Sequence, residues 1–205
     1  MIRAESRRES HSGFSLIDTL VVLGIAGIVA GAAIPISMNN VARFRARGDA
    51  QALLSTVSLA RERAATRFTR SRVYADLVAN TYRIEVFDKT TGTCCWVTEG
   101  PTQPLSRGVS FGFGSLTSPP ADTQSAIGMA AACTDGSGAA IANTSCIAFN
   151  SRGVPIMLSG TVGAPTGEGA LYITDGVGVY GTTVSAGPVV RGWWTRAGQA
   201  EWQRQ

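Results

Sequence analysis

The sequence has little charge and almost no histidine. Charged residues make up 16% of its 205 positions, below the usual quarter of a soluble protein. So low a charge excludes a disordered, charge-rich chain and suggests a membrane segment. His11 is the only histidine. If the first residues are removed, the mature chain has none, which excludes Ser–His or Cys–His catalysis and a His-ligated metal. We therefore expect no enzyme activity and no cofactor.

The charge that is present is unevenly distributed. Residues 1–42 are neutral overall, residues 43–72 hold eight Arg and two acids for a net charge of +6, and residues 73–205 carry −2. The basic character thus belongs to one short stretch. We interpret that stretch as a solvated helix face in preference to a phosphate or lipid site.

A long uncharged run follows the polar N-terminus. Residues 19–42 contain no charge, and as a helix of about 1.5 Å per residue they would reach roughly 36 Å, enough to cross a hydrocarbon core of about 30 Å. The run is longer than the apolar region of a secretory signal peptide, and the expected processing point precedes it, at Gly13–Phe14. Asp18 is an ionisable group at the start of the run, and a carboxylate near lipid should find a partner. On composition alone, an ordinary signal anchor with Asp18 at headgroup level fits equally well.

The stretch GFSLIDTLVVLGIAGIVAGAAIP closely resembles the N-terminal signature of type IV pilins and type II secretion pseudopilins. The resemblance implies a leader, residues 1–13, that prepilin peptidase cuts after Gly13, and an N-methylated mature N-terminus at Phe14. Asp18 takes the position of the family's acid, usually Glu, whose carboxylate is thought to pair with the N-terminal amine of the neighbouring subunit. Asp keeps the charge with a shorter reach. Pro35 matches the family's helix-kinking proline.

The resemblance also implies a structural, non-enzymatic function. Such a protein resides in the bacterial inner membrane with a single span and a periplasmic head, and is then incorporated into a type IV pilus or a type II secretion pseudopilus. Its partners would be other pilins or pseudopilins, the prepilin peptidase and the inner-membrane assembly platform. The positive-inside rule opposes this orientation because Arg43, Arg45 and Arg47 follow the run, so the orientation rests on the resemblance.

The rest of the chain predicts an α+β fold in which a long helix packs on an antiparallel β-sheet head. Residues 14–42 would be the transmembrane and assembly helix, residues 43–72 its amphipathic continuation, and residues 73–205 the β-rich head. The apolar face of the continuation repeats at spacings of three and four: Ala50, Leu53, Leu54, Val57, Ala60, Ala64 and Phe68. Short strands are predicted at 82–87, 95–97, 109–113, 146–150, 154–158, 170–174 and 176–185.

Two connections in the head are also predicted. Arg152 and Gly153 should form the turn of a hairpin, and residues 116–145, rich in small and turn-forming residues, indicate a long surface loop. The segments LSTVSLARERAATR, IAFNSRGVPI and VYGTTVSAGPVVR resemble the GspH/FimT branch of minor pilins, more loosely than the N-terminal signature resembles its family.

The four cysteines predict disulfides rather than a metal site. Cys94, Cys95, Cys133 and Cys146 show no spacing typical of zinc ligands, and a translocated head would meet an oxidising compartment. A bond between Cys94 and Cys95 is disfavoured because neighbours on a strand point to opposite faces. Two arrangements stay open: each of that pair bonds to Cys133 or Cys146, or Cys133 bonds to Cys146.

The C-terminal tail mixes tryptophan with arginine: Arg191, Trp193, Trp194, Arg196, Trp202 and Arg204. Aromatic and Arg side chains together can stack bases and hold phosphates. FimT-like pilins are thought to bind DNA through a Gly-Arg-x-Arg motif, of which only Arg191 can be carried over. Arg191 and Arg196 are therefore the candidate DNA-binding residues, and a DNA-uptake receptor is the alternative function. Because residues 73–205 are slightly acidic, we favour the interpretation that the tryptophans end a strand and cap the core.

Overall fold

The structure of this protein, a computed structural model, describes residues 15–90, 95–199 and 201–205, and for residues 30 and 32–40 it describes the backbone alone. The predictions made for Gly13, Phe14 and Cys94, and for the side chain of Pro35, lie outside the described residues.

The chain divides into two units, Met1–Val41 and Ala42–Gln205. Helix α1, Leu16–Thr66, contributes to both. The strands of the second unit are β1 (Ser71–Asp76), β2 (Thr81–Phe87), β3 (Trp96–Pro104), β4 (Ser110–Phe111), β5 (Thr144–Phe149), β6 (Pro155–Ile156), β7 (Gly169–Thr174), β8 (Gly178–Val184), β9 (Val190–Arg196) and β10 (Gln203–Arg204).

The strands form two five-stranded sheets with antiparallel pairing throughout. The first has the order β3-β2-β1-β5-β6 and the second the order β10-β9-β8-β7-β4. The α+β class with antiparallel sheets is therefore confirmed, with two sheets where one was expected. The predicted hairpin is present between β5 and β6, and Gly153 adopts the left-handed conformation (φ 74°) that its turn requires.

One face of α1 supplies the centre of the core. The buried positions recur at spacings of three and four: Ala46, Ala50, Leu53, Val57, Ala60 and Ala64. They pack against the inner faces of both sheets, including Val73 and Ile84 from the first sheet and Ile173 from the second. The small alanine side chains at both ends of this stripe allow the strands to approach the helix closely. The predicted stripe is confirmed up to Ala64.

Phe68 departs from the prediction. The helix ends at Thr66, before Phe68 and short of residue 72, and the Phe68 side chain is 75% exposed. Phe68 adopts a left-handed conformation (φ 50°), and its N–H and that of Thr69 donate to the carbonyls of Ala65 and Ala64, as in a Schellman C-cap. Lys89 adds a hydrogen bond to the Phe68 carbonyl. These capping contacts end the helix before the apolar spacing does.

The segment between β4 and β5 forms a third layer over both sheets. Leu116 packs on the outer face of the second sheet beside Tyr172, and Cys133 packs on the outer face of the first sheet beside Tyr74. The Tyr172 hydroxyl donates to Gln124 at 2.7 Å, and burial raises the pKa of Tyr172 above its usual range. The predicted long loop is thus an irregular segment, as expected, but much of it is packed rather than on the surface.

Coverage on both faces gives the main strands their nearly uninterrupted burial. The residues of β1, β5, β7 and β8 are buried almost without a break, so their sequences lack the alternation of a half-exposed strand. Strands were predicted at β5, β7 and β8, and β1 was missed because its first residues were assigned to the helix that was expected to reach residue 72. β9, which holds Trp193 and Trp194, and β10, which follows Trp202, also extend the second sheet beyond the predicted strands.

The helix stripe gives a first test of this fold. Leu53 is 1% exposed and Leu59, six residues further along the same helix, is 40% exposed. Leu53→Ala leaves a cavity between both sheets and should lower the free energy of unfolding by about 2–5 kcal/mol, whereas Leu59→Ala should change it by less than about 1 kcal/mol. Urea denaturation of the two variants measures both; equal losses would contradict the packing described here.

Candidate functional site

The first turn of α1 holds Asp18 in a local capping arrangement. The Ser15 N–H donates to Asp18 Oδ2 at 3.4 Å, and the Ile17 N–H donates to Ser15 Oγ at 3.3 Å. Ser15 is thus the N-cap and Asp18 the third helical residue, where an acidic side chain satisfies an orphan N–H and complements the helix dipole. The Asp18 side chain is exposed. The Asp18 carboxylate therefore stabilises its own helix and is also accessible to a cation from outside it.

The helix surface on both sides of Asp18 is apolar and exposed. Nine large side chains share this property: Leu16, Ile17, Leu20, Val21, Val22, Leu23, Ile25, Ile28 and Val29. Exposed apolar area on this scale is unusual on a monomeric soluble protein and marks an interaction surface. Within the described residues, no helix is both long enough and apolar enough to cross a membrane.

The two candidate DNA-binding residues lie on opposite faces of the second sheet. Both belong to β9, and the five-residue interval between Arg191 and Arg196 puts their side chains on opposite sides of the strand. Arg191 shares the outer face with Trp193, which is buried and donates to Thr183 Oγ1 at 2.8 Å. Arg196 shares the helix-facing side with Trp194. The structure therefore does not bring Arg191 and Arg196 together in one site.

Arg196 instead joins arginines from the basic helix stretch. Two adjoining depressions, of about 120 and 270 Å³, share Arg47 and Trp194 in their lining. Arg43 and Arg196 line the first. Arg204 borders the second, but its guanidinium lies over the Trp193 ring on the outer face, with Cζ 5.5 Å from the ring centroid. We call this surface, formed by Arg43, Arg47, Trp194 and Arg196, the basic groove.

The Trp194 ring of the basic groove is already in contact with another side chain of the protein. Arg47 Cζ lies 5.8 Å from the centroid of the Trp194 ring, within cation–π range. Tyr180 lies beneath them, and burial raises the pKa of Tyr180, although hydrogen bonds with Arg47 and Trp194 act in the opposite direction. Asp175 is the acid of the groove, and its carboxylate accepts the backbone N–H groups of Val177 and Gly178 at 2.9 and 2.7 Å.

The described cysteines form disulfides, as predicted. Cys133 is bonded to Cys146, which confirms the second arrangement and excludes the first. A bridge that closes a loop of this length contributes on the order of 3 kcal/mol. Cys95 is also disulfide-bonded, and neither Cys133 nor Cys146 can be its partner. The prediction that Cys94 and Cys95 do not bond to each other involves Cys94, which lies outside the described residues.

A buried ionic cluster, which the sequence pattern did not reveal, joins the first sheet to the third layer. Arg72 on β1 lies directly opposite Glu85 on β2, and both are buried. Arg72 Nε donates to Glu85 Oε2 at 2.7 Å, and Arg83 Nε donates to Oε1 at 2.8 Å. Arg72 also donates to the Thr134 carbonyl at 2.7 Å. The cluster is a structural anchor for the segment that carries the Cys133–Cys146 bridge.

Aromatic rings enclose this cluster. The Trp96 ring centroid lies 4.1 Å from Arg72 Cζ, and the Tyr74 centroid lies 4.0 Å from Arg83 Cζ. Burial lowers the pKa of Arg72, and the neighbouring Glu85 carboxylate opposes that shift. The cluster could have been found from the sequence only by pairing β1 with β2 in the correct register. Arg72 and Glu85 are 13 residues apart in the sequence and become neighbours only across that strand pair.

Removing the single acid of the cluster should be costly. Glu85→Gln would leave two guanidinium groups without a countercharge, and we expect the free energy of unfolding to fall by about 3–5 kcal/mol. Glu62 is exposed on α1, so Glu62→Gln removes the same charge with an expected effect within about 0.5 kcal/mol. Chemical denaturation of both variants provides the measurement. A Glu85→Gln protein as stable as Glu62→Gln would show that the buried cluster contributes little.

Comparisons with known proteins give one likeness. No protein-family model matches the sequence, and no curated protein matches it. Among solved structures, the chain is similar to the minor pseudopilin EpsH from the type 2 secretion system of Vibrio cholerae, with 12% sequence identity. The aligned part covers 78% of this chain and 96% of that one, with a TM-score of 0.36.

Proposed function

We propose that this protein is a structural subunit, a minor pilin or pseudopilin of the GspH/FimT type, that enters a filament by helix packing. The observation that carries the proposal is the division of α1. Its first part presents the nine exposed apolar side chains, and its second part supplies the buried stripe of a separate head. A helix of this kind needs an apolar environment for one half only, either lipid or a bundle of similar helices.

The processing steps of the proposal rest on the sequence signature. Prepilin peptidase would cut after Gly13 and leave N-methylated Phe14 as the first residue. The subunit would then lie in the bacterial inner membrane with residues 14–42 as its span and residues 73–205 in the periplasm. Other pilins or pseudopilins and the inner-membrane assembly platform would be its partners. Membrane residence comes before filament assembly in this scheme.

Asp18 has a defined place in the scheme. After cleavage, Ser15 would be the second residue of the mature chain, so the carboxylate that accepts the Ser15 N–H would lie close to the N-terminal amine. A carboxylate and an ammonium group attract strongly where water is scarce, and either one alone is costly there. We therefore propose that the exposed Asp18 carboxylate neutralises the N-terminal amine of a neighbouring subunit in the assembled filament. The bond to the Ser15 N–H is local and does not require assembly.

The processing proposal predicts a defined mature mass. Protein purified from a host with prepilin peptidase should lack its first thirteen residues and begin at N-methyl-Phe14, because Gly13 has no side chain to keep a protease from the backbone. Intact-mass analysis measures this. An unshifted mass, or a cut within the apolar run, would contradict the proposal, and a bulky residue in place of Gly13 should abolish the cut.

Two substitutions at Asp18 separate its two roles. Asp18→Asn keeps an oxygen that can accept the Ser15 N–H but removes the charge, whereas Asp18→Ala removes both. We expect both variants to reach the membrane and be processed normally, and both to be recovered several-fold less in sheared filaments. Asp18→Glu, which keeps the charge, is the matched control and should be recovered like the natural protein.

The pattern of recovery decides between capping and charge pairing. Loss in Asp18→Ala alone would show that the capping bond is what matters. Full recovery of both variants would show that Asp18 has no part in assembly. Quantitative immunoblots of sheared filaments, normalised to the membrane fraction, give the readout.

A further inference from the structure

The basic groove lies at the end of α1's apolar part. Arg43 is the first charged residue after the uncharged run of residues 19–42, and Arg47 follows one turn later on the same helix. Both side chains are exposed. At about 1.5 Å per residue, neither Cα lies more than roughly 8 Å along the helix axis from the last residue of the run. Along the sequence, the uncharged run therefore ends next to these two arginines.

The second sheet adds a third arginine near these two. β9 contributes Arg196, which lines the same depression as Arg43 and Arg47. The salt bridges found within the described residues involve none of these three arginines. Asp175 is the only acidic side chain that lines the groove, and its carboxylate already accepts two backbone N–H groups. The groove therefore has an unneutralised positive charge that suits an anion.

The aromatic residues at this level match a lipid–water boundary. Phe44 lies between Arg43 and Arg45 and is 71% exposed, and Trp194 is half-buried beneath Arg47. Aromatic and Arg side chains are enriched together where a membrane-embedded helix leaves the bilayer. An exposed Phe next to a cationic groove fits an interface that is apolar on one side and anionic on the other.

We propose that the basic groove binds the phosphate of an anionic phospholipid headgroup while the subunit is still in the membrane. The proposal rests on the proposed function, in which residues 14–42 lie in the bilayer. For Arg43 and Arg47 it replaces the interpretation of residues 43–72 as a solvated face, because the fold brings these two side chains together with Arg196. Arg43 and Arg47 hold the phosphate from the helix, and Arg196 holds it from β9. The bound headgroup fixes the head against the membrane surface until the subunit is extracted into the filament.

The dimensions of the groove favour a headgroup over duplex DNA. Depressions of about 120 and 270 Å³ accommodate one or two headgroups. A duplex is held by several phosphates along an extended surface, and the other tail arginines that could extend it, Arg191 and Arg204, lie on the opposite face of the sheet. Base stacking needs an open aromatic face, and Arg47 covers that of Trp194.

Native mass spectrometry of the full chain in nanodiscs tests the proposal. The discs contain phosphatidylglycerol and phosphatidylcholine in equal amounts, and the readout is the ratio of the two lipids that stay bound after gas-phase release. The natural protein should retain phosphatidylglycerol preferentially. Arg47→Gln/Arg196→Gln should reduce that preference about tenfold or more, since each arginine near a membrane surface contributes a severalfold effect. Arg47→Lys/Arg196→Lys should keep most of it.

The matched control removes the same charge elsewhere on the head. Arg107 and Arg152 are exposed and lie outside the groove, so Arg107→Gln/Arg152→Gln should retain the preference of the natural protein. The absence of a preference in the natural protein, or an equal loss in the groove and control variants, would overturn the proposal. A DNA result would also overturn it: duplex DNA binds the natural protein in phosphatidylcholine discs, does not bind the groove variant, and is not displaced by phosphatidylglycerol.

Flotation with pure phosphatidylcholine vesicles distinguishes a failure of the proposed membrane residence from a failure of the lipid site. A chain that does not insert into these vesicles overturns the proposed membrane residence and the lipid site together. A chain that inserts and shows no preference for phosphatidylglycerol overturns the lipid site alone, and the structural-subunit proposal stands.

Discussion

The head depends on the packing of one face of helix α1 between two antiparallel sheets. Leu53 and Val57 fill the centre of this face, and alanines flank them in both directions. Because the helix covers the inner face of each sheet, the outer faces need a cover of their own, which the segment between β4 and β5 provides. The Cys133–Cys146 bridge and the hydrogen bond from Arg72 to Thr134 hold that segment in place.

The same helix has a different environment in each half. Its first part exposes large apolar side chains, and its second part buries small and medium ones and carries arginine on the remaining surface. The change falls at Arg43, where the uncharged run ends. A chain built in this way has a head that keeps its own core whatever covers the apolar part.

Parts of this arrangement were predictable because they are local. The three-and-four spacing from Ala50 to Ala64 is a property of one helix, and the turn at Gly153 is a property of four residues. The end of the helix was missed because Lys89, distant in sequence, helps to cap it. Strand β1 was missed because its first residues were assigned to the helix, and Arg72 is stable in the interior only once Glu85 lies opposite. The basic groove required knowledge of which face of β9 carries Arg196.

The central claim is that the exposed apolar part of α1 packs against other subunits. A photoreactive amino acid at Val22, an exposed position in that part, tests it most directly in a host that assembles the filament. Irradiation of sheared filaments should cross-link the subunit to another pilin-type subunit from Val22, and Asp18→Ala should reduce the yield with the total amount of membrane protein unchanged. If filaments contain the subunit and Val22 gives no protein adduct, the account of how this helix is covered is wrong.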